Sequence, residues 1–314
     1  LIIIDECHRS IYSDWQKVLA YFNKARLVGM TATPIPETLA FFDNNRVANY
    51  TYEQSVLDDV NVSFRIYRIK TELTEEGGTI ETGDKLEVTN RLDAKRHRQV
   101  AIEEREFSKS DLNRSVVVRD QIRKVLQEYK DAVYTQFYPE REPNFDYLPK
   151  TLIFAVSDAH AQLIVDVAKE VFNRTDDHFV QKITYSIGNS NERIKQFRYD
   201  VNFRIAVTVT LVATGTDVRP LEVLIFFNDV HSETLYAQMK GRGCRTIAPS
   251  QLQAVTPNAK SKELFYIVDA VGVTESEKYV PSLDDKDGAH PINPTLEALF
   301  EQMALGHLPD DYFH

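Results

Sequence analysis

Cysteine is nearly missing from this chain, whose 314 residues hold only Cys7 and Cys244. Two thiols are too few for a disulfide framework or a zinc site, and their scarcity fits a reducing cytoplasm. Long apolar runs are missing as well. No stretch approaches the roughly 20 residues of a membrane-spanning helix, and no signal peptide is visible. There is no excess of positive charge; the formal charge of −10 argues against a uniformly basic nucleic-acid binder but says little about any one groove. Internal repeats and low-complexity tracts are absent. So is any G-x-x-x-x-G-K-[ST] segment, the loop whose backbone amides and lysine cradle nucleotide phosphates. Lys85, after Gly83-Asp84, does not fit it.

What remains is ordinary globular material, 43% hydrophobic and 27% charged, enough for two domains with well-formed cores. Residues 1–4 (LIII) read as a short buried strand ended by charge. A helical stretch from Asp14 to Phe22 leads to a second strand, 25–30, which runs into TATP, where Pro34 stops it. Strand, helix, strand in that order points to a parallel α/β sheet. From Asn61 to Leu73 the pattern alternates, and the turn-rich residues after it predict a hairpin around Gly77 and Gly78. Residues 91–136 look helical. Within them, 91–124 carry ten Lys/Arg against six acids, which is either a solvated face or a surface turned to nucleic acid.

Tyr138 to Pro149, with three prolines, reads as a loop or linker. α/β order then resumes: strand KTLIFAV, a helix opened by a Ser157 cap, strand QKITYSI, helix NERIKQFRY, strands RIAVTVTL and LEVLIFF, a helix over 232–242 and a last strand ELFYIVDAV. After Val273 nine acids face two lysines, and TLEALFEQMAL near the end is helical. The domains expected are 1–58, 59–272 with a hairpin and helical insertion at about 75–149, and an acidic tail, 273–314.

Chemistry concentrates at strand ends, where open parallel sheets place their functional groups. Asp5 follows the first strand and can hold a Mg²⁺ ion bridging nucleotide phosphates; the bland reading is a capping aspartate. Glu6 beside it can orient or deprotonate an attacking water. Thr31 and Thr33 of TATP are either functional hydroxyls or turn caps. ATGTD, Ala213 to Asp217, has Gly215 where a close approach after a strand is needed. In Gln238-x-x-Gly241-Arg242-x-x-Arg245 the arginines, three apart in a helical turn, can point the same way and suit a transferring phosphoryl group; the alternative is a basic helix end.

The order of these motifs is more telling than any one of them. DExH, TAT, strand–Ser–helix, TGxD and QxxGRxxR follow one another as in superfamily 2 helicases and translocases, which the chain resembles throughout. IIIDECHRSIYSDW, LVGMTATPIPETLAFFDNN, LNRSVVVRDQIRKVLQ, KTLIFAVSDAHA and RIAVTVTLVATGTDVRPLEVLIFF resemble the motor (R) subunit of type I restriction enzymes over about residues 1–275.

That resemblance implies two RecA-like doubly wound domains, the first only partly present, with ATP and Mg²⁺ in the cleft between them. Asp5, with Glu6, would bind the metal, and Glu6 would activate water. His8 would link the nucleotide site to the second domain, through Gln238. Thr31 and Thr33 would couple nucleotide state to DNA grip, Ser157 and Thr214 would touch DNA, and Gly215, Asp217 and Gln238 would meet the nucleotide. Arg242 and Arg245 would reach the γ-phosphate. The partners implied are double-stranded DNA and the methyltransferase and specificity subunits of a prokaryotic, cytoplasmic restriction complex, with no membrane. Relatives often carry Asp where Thr210 stands, which puts one contact in doubt. In the superfamily the phosphate loop lies before the DExH motif, so the chain reads as a truncation, and residues 1–314 alone are expected to hydrolyse ATP negligibly. The nuclease too is expected outside them: the one E-x-K, Glu128-Tyr129-Lys130, sits in an amphipathic helical pattern and reads as a surface pair. Competing readings are another superfamily 2 helicase or repair motor, which would unwind strands, and a DNA-binding or subunit-docking module without catalysis.

Overall fold

Ile2–Ile4 (β1) and Leu27–Gly29 (β2) pair in parallel, with Ile2 opposite Leu27 and Ile4 opposite Gly29. In the computed structural model the described residues are 1–11, 14–69, 78–80, 85–89, 96–100, 105–107, 116–184, 190–209, 217–276 and 278. They fall into two compact units, one built on Leu1–Arg46 with His231–Thr234, the other on Val47–Val230 with Leu235–Ser276.

In the first unit, helices Cys7–Ser10 (α1), Asp14–Tyr21 (α2) and Pro36–Phe41 (α3) accompany the strand pair. Ile4, Cys7 and Ile11 form its small core, with Leu19, Phe41 and Phe42 packed against them. Gly29 is required by that packing, because a Cβ there would stand 2.5 Å from the Phe42 ring and 2.9 Å from Cys7 Sγ. Helix α3 has proline in its first turn, a start signal the apolar pattern alone does not carry.

The second unit begins with Tyr52–Leu57 (α4), whose N-cap Thr51 Oγ1 accepts from the Gln54 N–H at 3.2 Å. Strand Ser63–Arg68 (β3) follows, and then five strands of an insertion: Gly78–Ile80 (β4), Lys85–Thr89 (β5), Arg96–Val100 (β6), Arg105–Phe107 (β7) and Val116–Val118 (β8). β4 pairs with β7, and β5 with both β6 and β8, all antiparallel. This corrects two expectations. Helix does not run through 91–136; it starts at Arg119 (α5, Arg119–Ala132), because RHRQV and VVV are both paired with KLEVT in a ladder, a place that the β-branched VVV suits. Nor does Gly78 turn a hairpin from β3: it opens β4 opposite Phe107, while residues 70–77 lie outside the described ones.

The main sheet then forms from β3, Lys150–Phe154 (β9), Val180–Lys182 (β10), Ile205–Thr208 (β11), Leu221–Phe226 (β12) and Leu264–Asp269 (β13). The order is β10-β11-β9-β12-β13-β3 and every pairing is parallel. All residues of β9, β11 and β12 are buried. Since alternate side chains face opposite sides, both faces are covered, which is why these strands read as unbroken apolar runs. Helices Asp158–Val171 (α6), Ser190–Tyr199 (α7), Glu233–Lys240 (α8) and Pro249–Val255 (α9) complete the unit. The α/β expectation therefore holds. Strand β10 is shorter than QKITYSI, with residues 185–189 outside the described set, and the helix expected over 232–242 stops at Lys240.

Polar groups are pinned inside this core. Buried Lys150 donates to the carbonyls of Asp200 and Phe203, and desolvation pushes its ammonium down to about 6. Arg204, fully buried, donates to the carbonyls of Leu148 and Val255 and to Thr256 Oγ1. The segment 138–149, read as a loop or linker, holds Arg141, whose guanidinium lies 2.6 Å from fully buried Glu222 Oε1. Glu128 and Lys130 are not a pair: Glu128 Oε1 accepts from Tyr67 Oη, and Lys130 Nζ donates to the Val171 carbonyl.

Candidate functional site

At the end of β1 the chain turns sharply. Glu6 sits in the left-handed region (φ 48°, ψ 47°) as the N-cap of α1, a conformation that costs a non-glycine residue about 1–3 kcal/mol and is common at functional sites. Local bonds hold it there. The Glu6 N–H donates to Asp5 Oδ1 at 3.0 Å, and Ser10 Oγ stands 3.3 Å from the carbonyls of both Asp5 and Glu6. The ladder between β1 and β2 extends into the turn, since Met30 N–H donates to Ile4 O at 2.8 Å and Cys7 N–H to Met30 O at 3.0 Å. The TAT segment is thereby fixed beside DExH.

His8 joins the two. Its side chain is 4% exposed, with Nδ1 2.8 Å from Thr31 Oγ1 and 3.3 Å from Glu6 Oε2. Thr31 Oγ1 also accepts the Thr33 N–H at 3.0 Å. A neutral Nδ1 accepts the Thr31 hydroxyl proton, whereas a protonated one donates to Thr31 or Glu6. His8 Nδ1 thus faces both the carboxylate and the threonine turn. Thr33 Oγ1 is buried without a hydrogen bond, and the equally buried Glu6 Oε2 has the His8 ion contact alone.

The chemistry of these residues is compatible with a Mg²⁺–nucleotide. Among the described residues no three His, Cys, Asp or Glu side chains gather as a metal cage. Mg²⁺ does not need one: it keeps several waters and takes one or two carboxylates together with substrate phosphates. Exposed Asp5 beside half-exposed Glu6 is a donor set of that kind.

A second cluster lies in the other unit, at the amino-terminal edge of its main sheet. Register places Arg219, Lys262 and Asn61 in a row, each two residues ahead of β12, β13 and β3. Asp217 Oδ2 accepts from Arg219 Nε at 3.0 Å, and its Oδ1 lies 3.4 Å from Arg245 Nε. Arg245 forms an antiparallel bridge to Asn61, flanked by Val62 N–H to Cys244 O at 2.6 Å and Thr246 Oγ1 to Val60 O at 3.2 Å. Lys262 Nζ donates to the carbonyls of Arg245 at 2.8 Å and Arg219 at 2.9 Å, and burial pushes it down to about 8. A pocket of about 440 Å³ opens beside this cluster, lined by Asp217, Arg219, Arg198, Gln251, Ile247 and Val255 among others.

The sequence motif Gln238 to Arg245 is therefore not one helical turn. Gln238 is on α8; Arg242 is in the turn after it, its N–H donating to Met239 O, and Arg245 is extended. The path depends on Gly243, where a Cβ would meet the Phe265 ring at 2.4 Å. Gly243→Ala should cost about 1–3 kcal/mol through overpacking, read as a drop in urea midpoint at unchanged slope; an unchanged midpoint would refute the contact.

Asp217 and Arg245, far apart in sequence, are brought together, and Arg219 and Lys262 join them without having been singled out. Arg219 follows Asp217 in TGTDVRP and could have been read as its partner; nothing local marks Lys262. Ser157 is elsewhere, past the carboxyl end of β9, where its Oγ accepts the His160 N–H at 3.1 Å as the N-cap of α6. Thr210, Thr214 and Gly215 lie outside the described residues.

A family model described as the res subunit of type III restriction enzymes matches residues 1–36. Longer alignments run to type I systems. The chain is 26% identical over 308 residues to the EcoKI endonuclease subunit of Escherichia coli strain K12, covering 88% of this chain and 24% of that protein. It is also 26% identical over 262 residues to the Escherichia coli EcoAI endonuclease subunit, covering 78% and 29%. It thus spans about a quarter of the length of these relatives. A solved fragment assigned to an HsdR subunit of a type I restriction enzyme from Vibrio vulnificus YJ016 shares the fold, with TM-score 0.54, 22% identity, and 86% of this chain and 43% of that one covered.

Proposed function

We propose that this chain, a homologue of type I restriction enzyme endonuclease subunits, is the motor segment of such a subunit and moves double-stranded DNA at the expense of ATP. One observation carries the reading: the His8–Thr31 hydrogen bond, which ties the acid pair at the end of one strand to the threonine turn at the end of its parallel neighbour. A capping aspartate needs no such link; a device that reports nucleotide state to a DNA grip does.

On this reading Asp5, with Glu6, holds Mg²⁺, whose chemistry when bound is to neutralise developing phosphate charge. Glu6 orients and deprotonates the attacking water, and the buried His8 passes the state of that carboxylate to Thr31 and Thr33. Arg242 and Arg245 stabilise negative charge on the nucleotide, with Asp217, Gly215 and Gln238 as further nucleotide contacts. Ser157 and Thr214 contact DNA; the Ser157 hydroxyl, which accepts at the α6 cap, still has its own proton to donate to a phosphate oxygen. Methyltransferase and specificity subunits are the proposed partners, and the prokaryotic cytoplasm the proposed compartment. Among the described residues no helix is long and apolar enough to cross a membrane.

The test uses the full-length protein on a linear duplex that carries a triplex-forming strand. ATP-dependent triplex displacement with the duplex strands left paired is the expected outcome. Efficient separation of the labelled duplex strands would favour an unwinding helicase instead, and no ATP dependence at all would favour a docking module.

A further inference from the structure

Lys262 is 7% exposed and donates to two backbone carbonyls, those of Arg219 and Arg245. Another buried lysine of this unit offers the contrast. Lys150 also donates to two carbonyls, but Asp200 and Phe203 bear on no shared group. The two acceptors of Lys262 belong to the two arginines that grip the same carboxylate, Asp217. Side chains of those arginines are about half exposed, at 57% for Arg219 and 52% for Arg245, so they do not fix one another by packing. Their backbones are what is fixed. Asn61 bridges the Arg245 backbone, and Lys262 donates to its carbonyl.

We infer that Lys262 is a positioning residue: its ammonium clamps the Arg219 and Arg245 segments together, and so sets where the Arg245 guanidinium stands relative to Asp217. This rests on the reading of Arg245 as a charge-stabilising group for the nucleotide. An arginine that acts on developing charge must be held in place before the reaction, because reorganising it then would forfeit the gain. A buried cation two residues ahead of β13 supplies that hold without itself meeting the nucleotide. Removing it leaves two carbonyls short of a donor and frees the Arg245 backbone to shift.

Three variants of the full-length protein test this through DNA-stimulated ATP turnover: Lys262→Met, Arg245→Ala and the double. Lys262→Met should lower kcat about five- to tenfold and leave the KM for ATP within twofold, as expected for a contact made mainly in the transition state. Arg245→Ala should lower kcat more, and adding Lys262→Met to it should cost nothing further. If Arg245→Ala leaves kcat unchanged, the reading of Arg245 fails and this inference with it. If Arg245→Ala lowers kcat but folded Lys262→Met does not, the clamp alone is overturned. It is equally overturned if Lys262→Met has the same effect with and without Arg245, which is how a purely structural lysine would behave. Should Lys262→Met not fold, Lys262→Gln, which keeps a donor for one of the carbonyls, is read in the same way.

Discussion

Glu6→Gln in the full-length protein should lower DNA-stimulated ATP turnover by roughly 10²–10⁴-fold, the usual contribution of a positioned general base. The change is chosen to alter charge and little else. Glutamine has the size of glutamate, and the bond that shapes the turn is donated by the residue 6 backbone N–H to Asp5, which either side chain leaves intact. The carboxylate oxygen Oε2 makes no hydrogen bond that the amide would lose. Only its 3.3 Å ion contact with His8 disappears, and His8 retains Thr31 at 2.8 Å. Phosphate release measured beside a thermal melt separates chemistry from folding. Turnover within about threefold of the parent, with an unchanged melt, would remove Glu6 from the reaction and return the acid pair to a capping role.

Arg141→Ala should destabilise the larger unit by about 3–5 kcal/mol, the usual cost of leaving a buried charge without its partner. Glu222 is fully buried on β12 and its Oε1 lies 2.6 Å from the Arg141 guanidinium, which is itself 3% exposed and stacked 3.9 Å above the Tyr138 ring. Truncating the arginine strands the carboxylate in a region that water does not reach. The double change Arg141→Met with Glu222→Met should recover most of the loss, since an apolar pair of similar volume removes both desolvation costs. Urea denaturation with a common slope measures both variants. A loss below about 1 kcal/mol in Arg141→Ala would mean that the carboxylate finds water or another donor.

How much could be read in advance differs between the two ends of the argument. The acid pair was legible because its environment is local: an apolar run ends at Asp5, a second ends at Thr31, and parallel order makes them neighbours. Ser157 was legible for the same reason, since the cap hydroxyl and the His160 N–H that donates to it lie three residues apart. Arg141 was not. Three prolines around it mark a loop or linker, and the glutamate that holds it is 81 residues further on. Residues 91–118 misled in the other direction: dense charge there looks helical, yet the strands β6, β7 and β8 owe their conformation to partners across a ladder.

The sequence by itself determined the parallel α/β class, the strands that both faces of the sheet bury, and the placing of Asp5, Glu6, Thr31 and Thr33 just past the ends of two neighbouring strands, because each depends on residues a few positions apart. Only the tertiary structure decided that Asp217 takes Arg219 and Arg245 together, that Arg245 is extended against Asn61, and that Lys262 stands behind both arginines. A lysine becomes an internal donor only when the chain covers it and carbonyls from distant segments converge on it. Desolvation and hydrogen bonding across 17 and 43 residues of separation leave no period in the sequence from which to read them.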